Sequence, residues 1–155
     1  MAASLKIDGL ERFQRGLQTA TAATPAELRV AMVEATLIVE GEARRLAPRD
    51  TGRLQGSISS RISGGGASIV GEVGPSVAYG LYVERGTRPH WPPTAALGGW
   101  ARRHGISPFA VARGIARKGT RAQPFVQPAL EKNRGRVEAV FMKVGARILA
   151  KVVGG

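Results

Sequence analysis

The sequence has no cysteine, no long apolar run and no acidic residue between Arg85 and Leu130. Without cysteine there can be no disulfide framework, no thiolate metal site and no cysteine nucleophile, and the composition suits a cytosolic protein. No apolar run approaches the roughly 20 residues of a membrane span. Charged residues near the start also interrupt any signal-peptide core. We therefore expect no membrane contact.

The chain has 155 residues, which predicts one domain over 1–155. The net charge of +12 is unevenly distributed. Residues 1–87 carry 10 Lys and Arg against 9 Asp and Glu, whereas residues 88–155 carry 13 against 2. A basic half of this kind indicates an acidic partner, which could be nucleic acid, an acidic protein surface or another subunit. The other interpretation is a solvated basic face.

Helical periodicity predicts a short helix after Asp8 and a long central helix over roughly 25–46. Thr24 is a good N-cap for the central helix, and Pro25 suits its first position. The glutamates on this helix are expected on its solvent side. Its predicted buried stripe consists of Leu28, Met32, Ala35, Val39, Ala43 and Leu46, and Val33 and Leu37 are expected to widen this apolar face.

An alternating pattern from Leu54 predicts a strand, the glycines 64–66 predict a reversal, and 67–73 reads as the return strand. This hairpin should lie on the central helix, because a two-stranded sheet is marginal alone. Residues 77–87 fit one or two helical turns as well as a strand.

The basic half predicts a helical hairpin over 94–119, with helices from Thr94 to about His104 and from Pro108 to Lys118. A final helix should begin at Pro128. Its predicted buried stripe consists of Leu130, Val137, Phe141, Val144, Ile148 and Val152.

The sequence offers no recognisable catalytic or metal-binding set. His90 and His104 stand alone, and Ser57, Ser59 and Ser60 have no base in a known motif. We therefore predict no enzyme activity, no catalytic residues, no metal and no cofactor. The basic hairpin loosely suits a helix-turn-helix, so a DNA-binding regulator or nucleoid-type protein is the alternative function.

The aromatic residues allow two interpretations. Trp91, Trp100 and Phe109 could stack on bases, but anchoring in the core is the favoured role. Tyr79 and Tyr82 are likewise expected in the core, with a subunit contact as the alternative.

Three short blocks in fixed order resemble the minor tail components of long-tailed bacteriophages. They are APRDTGRLQGSI at Ala47–Ile58, VAYGLYVERGTRPHWPP at Val77–Pro93 and AQPFVQPALEK at Ala122–Lys132. Some members of that family pass almost directly from the second block to the third, which makes the 94–119 hairpin an insertion.

The resemblance implies an α+β fold in which a small antiparallel sheet packs against long N-terminal and C-terminal helices. It also implies a structural subunit for tail completion and head–tail joining. That subunit would work in a homo-oligomeric ring, with a hexamer as one option, beside tail-tube, terminator or connector proteins. Its place would be the neck-proximal end of the virion tail, after assembly in the bacterial host cytoplasm.

Two sets of residues are the candidate contact sites. The candidate subunit contact consists of Tyr79, Tyr82, Glu84 and Arg85. The candidate contact for DNA or an acidic partner consists of Arg102, Arg103, Arg113, Arg117, Lys118 and Arg121.

Overall fold

A computed structural model describes residues 10–65 and 68–154 of the chain. The described part has the expected α+β arrangement, with one long helix near each end, and none of its helices is long and apolar enough to cross a membrane. The elements are α1 (Leu10–Leu46), α2 (Arg53–Ser57), β1 (Ile58–Gly65), β2 (Ser68–Pro75), α3 (Gly80–Arg85), α4 (Thr94–Arg103), α5 (Pro108–Lys118) and α6 (Val126–Gly154).

α1 is one continuous helix rather than two. Pro25 lies inside it, so the predicted helix start at Thr24 and Pro25 is wrong. A proline inside a helix removes one backbone hydrogen bond, and here tertiary contacts at Glu27 and Leu28 outweigh that loss. Leu28 packs against a buried cluster shared with α6, and Glu27 forms an ion pair with Lys151 of α6. The predicted cap at Asp8 lies outside the described residues.

α1 and α6 pack along one another and form the centre of the fold. The predicted stripe on α1 is confirmed, with Ala35, Val39 and Ala43 buried. Its predicted widening is wrong, because Val33 and Leu37 are 41% and 54% exposed. On α6 the prediction was partly wrong, because the helix begins at Val126 and Leu130 is 51% exposed. The fully buried positions of α6 are Ala129, Asn133, Val140 and Val144.

The hairpin lies on α1, as predicted. β1 begins at Ile58 rather than at Leu54, which instead belongs to the short helix α2 and is buried there. β1 and β2 are antiparallel, with Arg61 opposite Glu72. Gly71 brings β2 close to α1, because a Cβ at that position would lie 2.5 Å from Thr36 Cγ2.

The main core lies where α1, α2, β1 and the start of α6 meet. Phe125 and Ile58 are the largest completely buried side chains in it. Phe125 directly precedes α6, so its burial fixes the start of that helix against α1. The cluster consists of Val39, Ala43, Ala47, Leu54, Ile58, Phe125 and Ala129.

The basic helical hairpin is confirmed with nearly the predicted bounds. α4 and α5 pack against each other through their alanines, and Ala101 and Ala112 are both completely buried. α4 begins at Thr94, as predicted, and Pro93 occupies the N-cap position without a side-chain hydrogen bond there. Gly119 ends α5 with a positive φ of 72°.

Candidate interaction surfaces around α3 and the basic hairpin

α3 holds the chain that returns from the basic hairpin. The carboxylate of Glu84 accepts hydrogen bonds from three backbone N–H groups, those of Phe125 (2.7 Å), Val126 (3.0 Å) and Gln127 (3.1 Å). These are first-turn donors of α6, which have no partner within the helix itself. A carboxylate at a helix N-terminus also interacts favourably with the helix dipole. Glu84 is therefore the N-terminal cap of α6, supplied from 41 residues earlier in the chain.

Thr87 and Thr120 close the base of the basic hairpin. Each backbone N–H donates to the carbonyl of the other residue, at 3.1 and 3.2 Å, and their hydroxyl oxygens lie 3.0 Å apart. Gln123 N–H also donates to the carbonyl of Val83, at 2.8 Å. We call the Thr87–Thr120 pair the neck, and we call residues 88–119 the arm.

Two glycines make the neck possible. Gly86 and Gly119 have positive φ values of 69° and 72°, which L side chains rarely adopt. A Cβ on Gly86 would lie 2.5 Å from the carbonyl oxygen of Thr120, and a Cβ on Gly119 would collide with the carbonyl of Thr87. The two chain segments that pair in the neck therefore approach more closely than side chains at these positions would allow.

The candidate subunit-contact residues divide into two groups. Tyr79 is 41% exposed and Tyr82 is 59% exposed, so the expectation that both belong to the core is wrong. Arg85 is exposed beside them. Glu84 is half-buried, and its carboxylate is directed at the start of α6. Tyr79, Tyr82 and Arg85 thus form an outward surface, whereas Glu84 has a partner within the chain.

All six candidate basic residues are exposed. Arg103 donates hydrogen bonds to both carboxylate oxygens of Asp50, and these bonds hold the pKa of Asp50 below its usual range. This ion pair ties the arm to the turn after α1. Among the described residues, none of the other five has an ion pair; they are Arg102, Arg113, Arg117, Lys118 and Arg121.

The aromatic residues of the arm lie on its surface, so the favoured core role is wrong. Trp91 and Phe109 are 53% and 58% exposed and contact each other edge to face, with ring centroids 5.4 Å apart. Trp100 is also exposed and stacks on His104 at 4.1 Å. The buried residues of α4 and α5 are instead the small Ala101 and Ala112.

Two open depressions flank α3. A cleft of about 590 Å³ separates α4 from the turn at 48–54, and Tyr79 and Trp100 line it. A groove of about 880 Å³ runs between α3, the end of β2 and the start of α6, and Leu81 and Leu130 line it. Both are open clefts at the surface rather than enclosed cavities.

Neither depression contains a recognisable catalytic set. Within the described ranges, no group of three His, Asp or Glu side chains is placed to hold a metal ion. His90 and His104 bond to nearby backbone carbonyls, those of Arg88 and Trp100. Glu40 was expected on the solvent side, but it is buried and pairs with Arg44 at 2.7 Å.

Sequence reasoning missed the cap and the neck. Their partners are separated by 41 residues for Glu84 and Phe125 and by 33 for Thr87 and Thr120, so no local periodicity indicates them. The available signal was indirect. Glu84 and Thr87 lie in the second resemblance block and Phe125 lies in the third, and two such blocks are candidates for direct contact.

Comparison with known protein families gives a match that ends directly before the neck. A family model described as "Bacteriophage HK97-gp10, putative tail-component" matches residues 11–86, close to half of the chain. The resemblance to bacteriophage tail components is therefore confirmed over that segment. The match ends at Gly86, directly before the neck, so the arm and α6 lie outside it. Comparison with curated proteins and with solved structures gives no significant match.

Proposed function

Because the chain resembles a family of bacteriophage tail components over residues 11–86, we propose that it is a structural subunit of tail completion and head–tail joining. The family match is the observation that carries this proposal. In it, copies of the chain form a ring, with a hexamer as the first option, at the neck-proximal end of the tail. The ring contacts tail-tube, terminator or connector proteins, and it assembles in the bacterial host cytoplasm.

Exposed apolar side chains on two different elements support a ring. Val30, Val33 and Leu37 lie at helical spacing on one exposed face of α1, and Leu81 and Tyr82 are exposed on α3. A ring joins two different surfaces of neighbouring subunits, whereas a two-fold dimer uses the same surface twice. Two separate apolar surfaces therefore suit a ring.

Tyr79, Tyr82 and Arg85 are the proposed subunit contact on the α3 side. Tyrosine and arginine are enriched in protein interfaces, because each combines a large contact area with hydrogen-bonding groups. The double variant Tyr79→Ala/Tyr82→Ala should lower the oligomer mass in solution and reduce binding to tail-tube ends in negative-stain images. Met142→Ala/Leu149→Ala is the matched control, because it removes two exposed apolar side chains from α6. An unchanged mass in the tyrosine variant would contradict this contact.

The exposed cations of the arm are the proposed contact for DNA or an acidic tail protein. Replacing Arg102, Arg113, Arg117 and Lys118 with Glu should reduce tail joining, because these side chains have no partner within the described chain. Retention of both tail joining and DNA affinity would refute a role for this surface.

A further inference from the structure

The acidic side chains of this chain are almost all engaged within it. Of the nine whose side chains the structure describes, seven pair with a cation, an amide or backbone N–H groups. Glu34 and Glu72 are the two described acidic residues without such a partner, and they lie apart, on α1 and β2. Among the described residues, a second copy of the chain therefore offers the arm only these two carboxylates without a partner, which favours another molecule as the anionic partner.

The arm is joined to the rest of the chain at the neck and, in addition, by the Arg103–Asp50 ion pair. Its two ends meet at the neck, where Thr87 and Thr120 are directly paired, and the chain on either side is held by Val83 and Glu84. Its internal packing rests on Ala101 and Ala112 rather than on the main core. The body therefore keeps its core and the cap of α6 when the arm is absent.

One face of α5 is built for contact with a polyanion. Phe109, Arg113 and Arg117 recur at four-residue spacing on it, and all three are exposed. Ala110 and Gly114 are the small exposed residues beside them, so neither position carries a large side chain that would keep a partner away from this face. The buried Ala112 lies on a different side of α5.

The spacing of these arginines suits a phosphate backbone. Four residues of helix place them about 6 Å apart along the helix axis. Duplex DNA carries one negative charge per about 1.7 Å of its axis, so each arginine can meet its own phosphate. The arm has no Asn or Gln to read adenine edges, and we assign its arginines to phosphates, a contact that carries no sequence information.

We propose that the arm, residues 88–119, is a self-contained module that binds the phosphate backbone of DNA without sequence preference. This inference rests on the proposed tail function, in which a ring at the head-proximal end of the tail surrounds the DNA exit path. The arm gives that ring a contact with DNA that is independent of the contacts between subunits.

The test measures binding of the full-length protein to two 30-base-pair duplexes of unrelated sequence, at several salt concentrations. Within the described chain, the arm has five cations without an ion pair, namely Arg88, Arg102, Arg113, Arg117 and Lys118. If each of them meets a phosphate, the slope of log affinity against log salt is about −4.5, and Arg113→Gln/Arg117→Gln reduces its magnitude by about 2. Lys143→Gln/Arg147→Gln is the matched control. It removes the same charge at the same four-residue spacing from exposed positions on α6.

Tryptophan fluorescence localises the contact. Trp91 and Trp100 are the only tryptophans of the chain, and both lie in the arm, so DNA binding should change their emission. A second variant replaces residues 88–119 with Asn-Gly, since a two-residue turn can join directly paired antiparallel residues. This variant should keep its helical circular dichroism and its oligomer mass while losing DNA binding.

Equal losses in the α5 and α6 double variants would overturn the proposal, because binding would then follow net charge alone. Unequal affinity for the two duplexes would also overturn it. So would competition by poly-glutamate as effective as that by DNA at equal charge, which would indicate an acidic protein partner. The oligomer mass, measured on the same samples, tests the ring separately. Absence of DNA binding would contradict the arm proposal, whereas a monomeric mass would contradict the ring.

Discussion

Removal of the Glu84 carboxylate should destabilise the fold through α6, a helix that Glu84 does not belong to. The carboxylate accepts the backbone N–H groups of Phe125, Val126 and Gln127 at 2.7 to 3.1 Å. Glu84→Ala leaves all three donors without this acceptor, next to a completely buried Phe125. Glu84→Gln keeps one carbonyl oxygen as an acceptor but loses the charge and the second oxygen.

The expected magnitude follows from two contributions. Loss of an N-cap acceptor costs typically about 1 kcal/mol. Loss of a negative charge at a partly buried helix N-terminus costs up to about 2 kcal/mol more. We therefore expect Glu84→Ala to lower the free energy of unfolding by about 2–3 kcal/mol, and Glu84→Gln to lower it by about 1–2 kcal/mol.

Urea unfolding followed by far-ultraviolet circular dichroism measures these differences. Glu34→Ala is the control, because Glu34 is an exposed helical glutamate without a partner among the described residues, and its loss should change stability by less than about 0.5 kcal/mol. If Glu84→Ala costs no more than Glu34→Ala, the cap does not stabilise the fold and our account of the α3 motif is wrong. Glu84→Arg is a poor test of assembly, since it disrupts the cap as well as any subunit contact.

Three further predictions concern acid stability, the neck and the core. Hydrogen bonds from Arg45 and Lys132 lower the pKa of Glu42 to about 2, so its stabilising effect should be complete above its ordinary pKa of about 4.5 and be lost as the pH falls towards 2. Glu42→Gln should flatten an acid titration of stability in that window, and an unchanged profile would contradict the link between α1 and α6. Gly119→Ala should destabilise the protein by about 1–3 kcal/mol in thermal or urea unfolding, because Gly119 has a positive φ and an added Cβ would collide with Thr87. Gly114→Ala is the control. Gly114 lies in open space on α5, so this change should be neutral or stabilising by up to about 1 kcal/mol. Phe125→Ala should cost about 3–5 kcal/mol in urea unfolding, as expected for a completely buried phenylalanine, and a loss below 1 kcal/mol would place it outside the core.

Hydrophobic periodicity predicted the elements that have one apolar and one polar face. The apolar stripe of α1 from Ala35 to Ala43 and the two helices of the arm were recovered with nearly correct bounds. The hairpin was recovered with its reversal, although β1 begins four residues later than Leu54. In these segments, local spacing and turn residues already specify the structure.

Predictions failed where a distant contact outweighs a local preference. Pro25 suits a helix start, yet packing of Leu28 against α6 and the Glu27–Lys151 ion pair hold a continuous helix across it. Trp91, Trp100 and Phe109 have the chemistry of core residues, yet the arm stands away from the main core and is closed internally by alanines. Burial of a side chain depends on what the fold places beside it, and a single sequence does not supply that neighbour.

The sequence by itself determined the α+β class, the concentration of positive charge after residue 87 and the resemblance to bacteriophage tail components. Composition and short motifs are properties of the chain in any conformation. The tertiary structure decided what those features do. It directed Glu84 to the start of α6, paired Thr87 with Thr120, and engaged nearly every described acidic side chain within the chain. Each of these outcomes depends on atoms brought together from distant parts of the sequence, because hydrogen bonds and ion pairs form only at short distances.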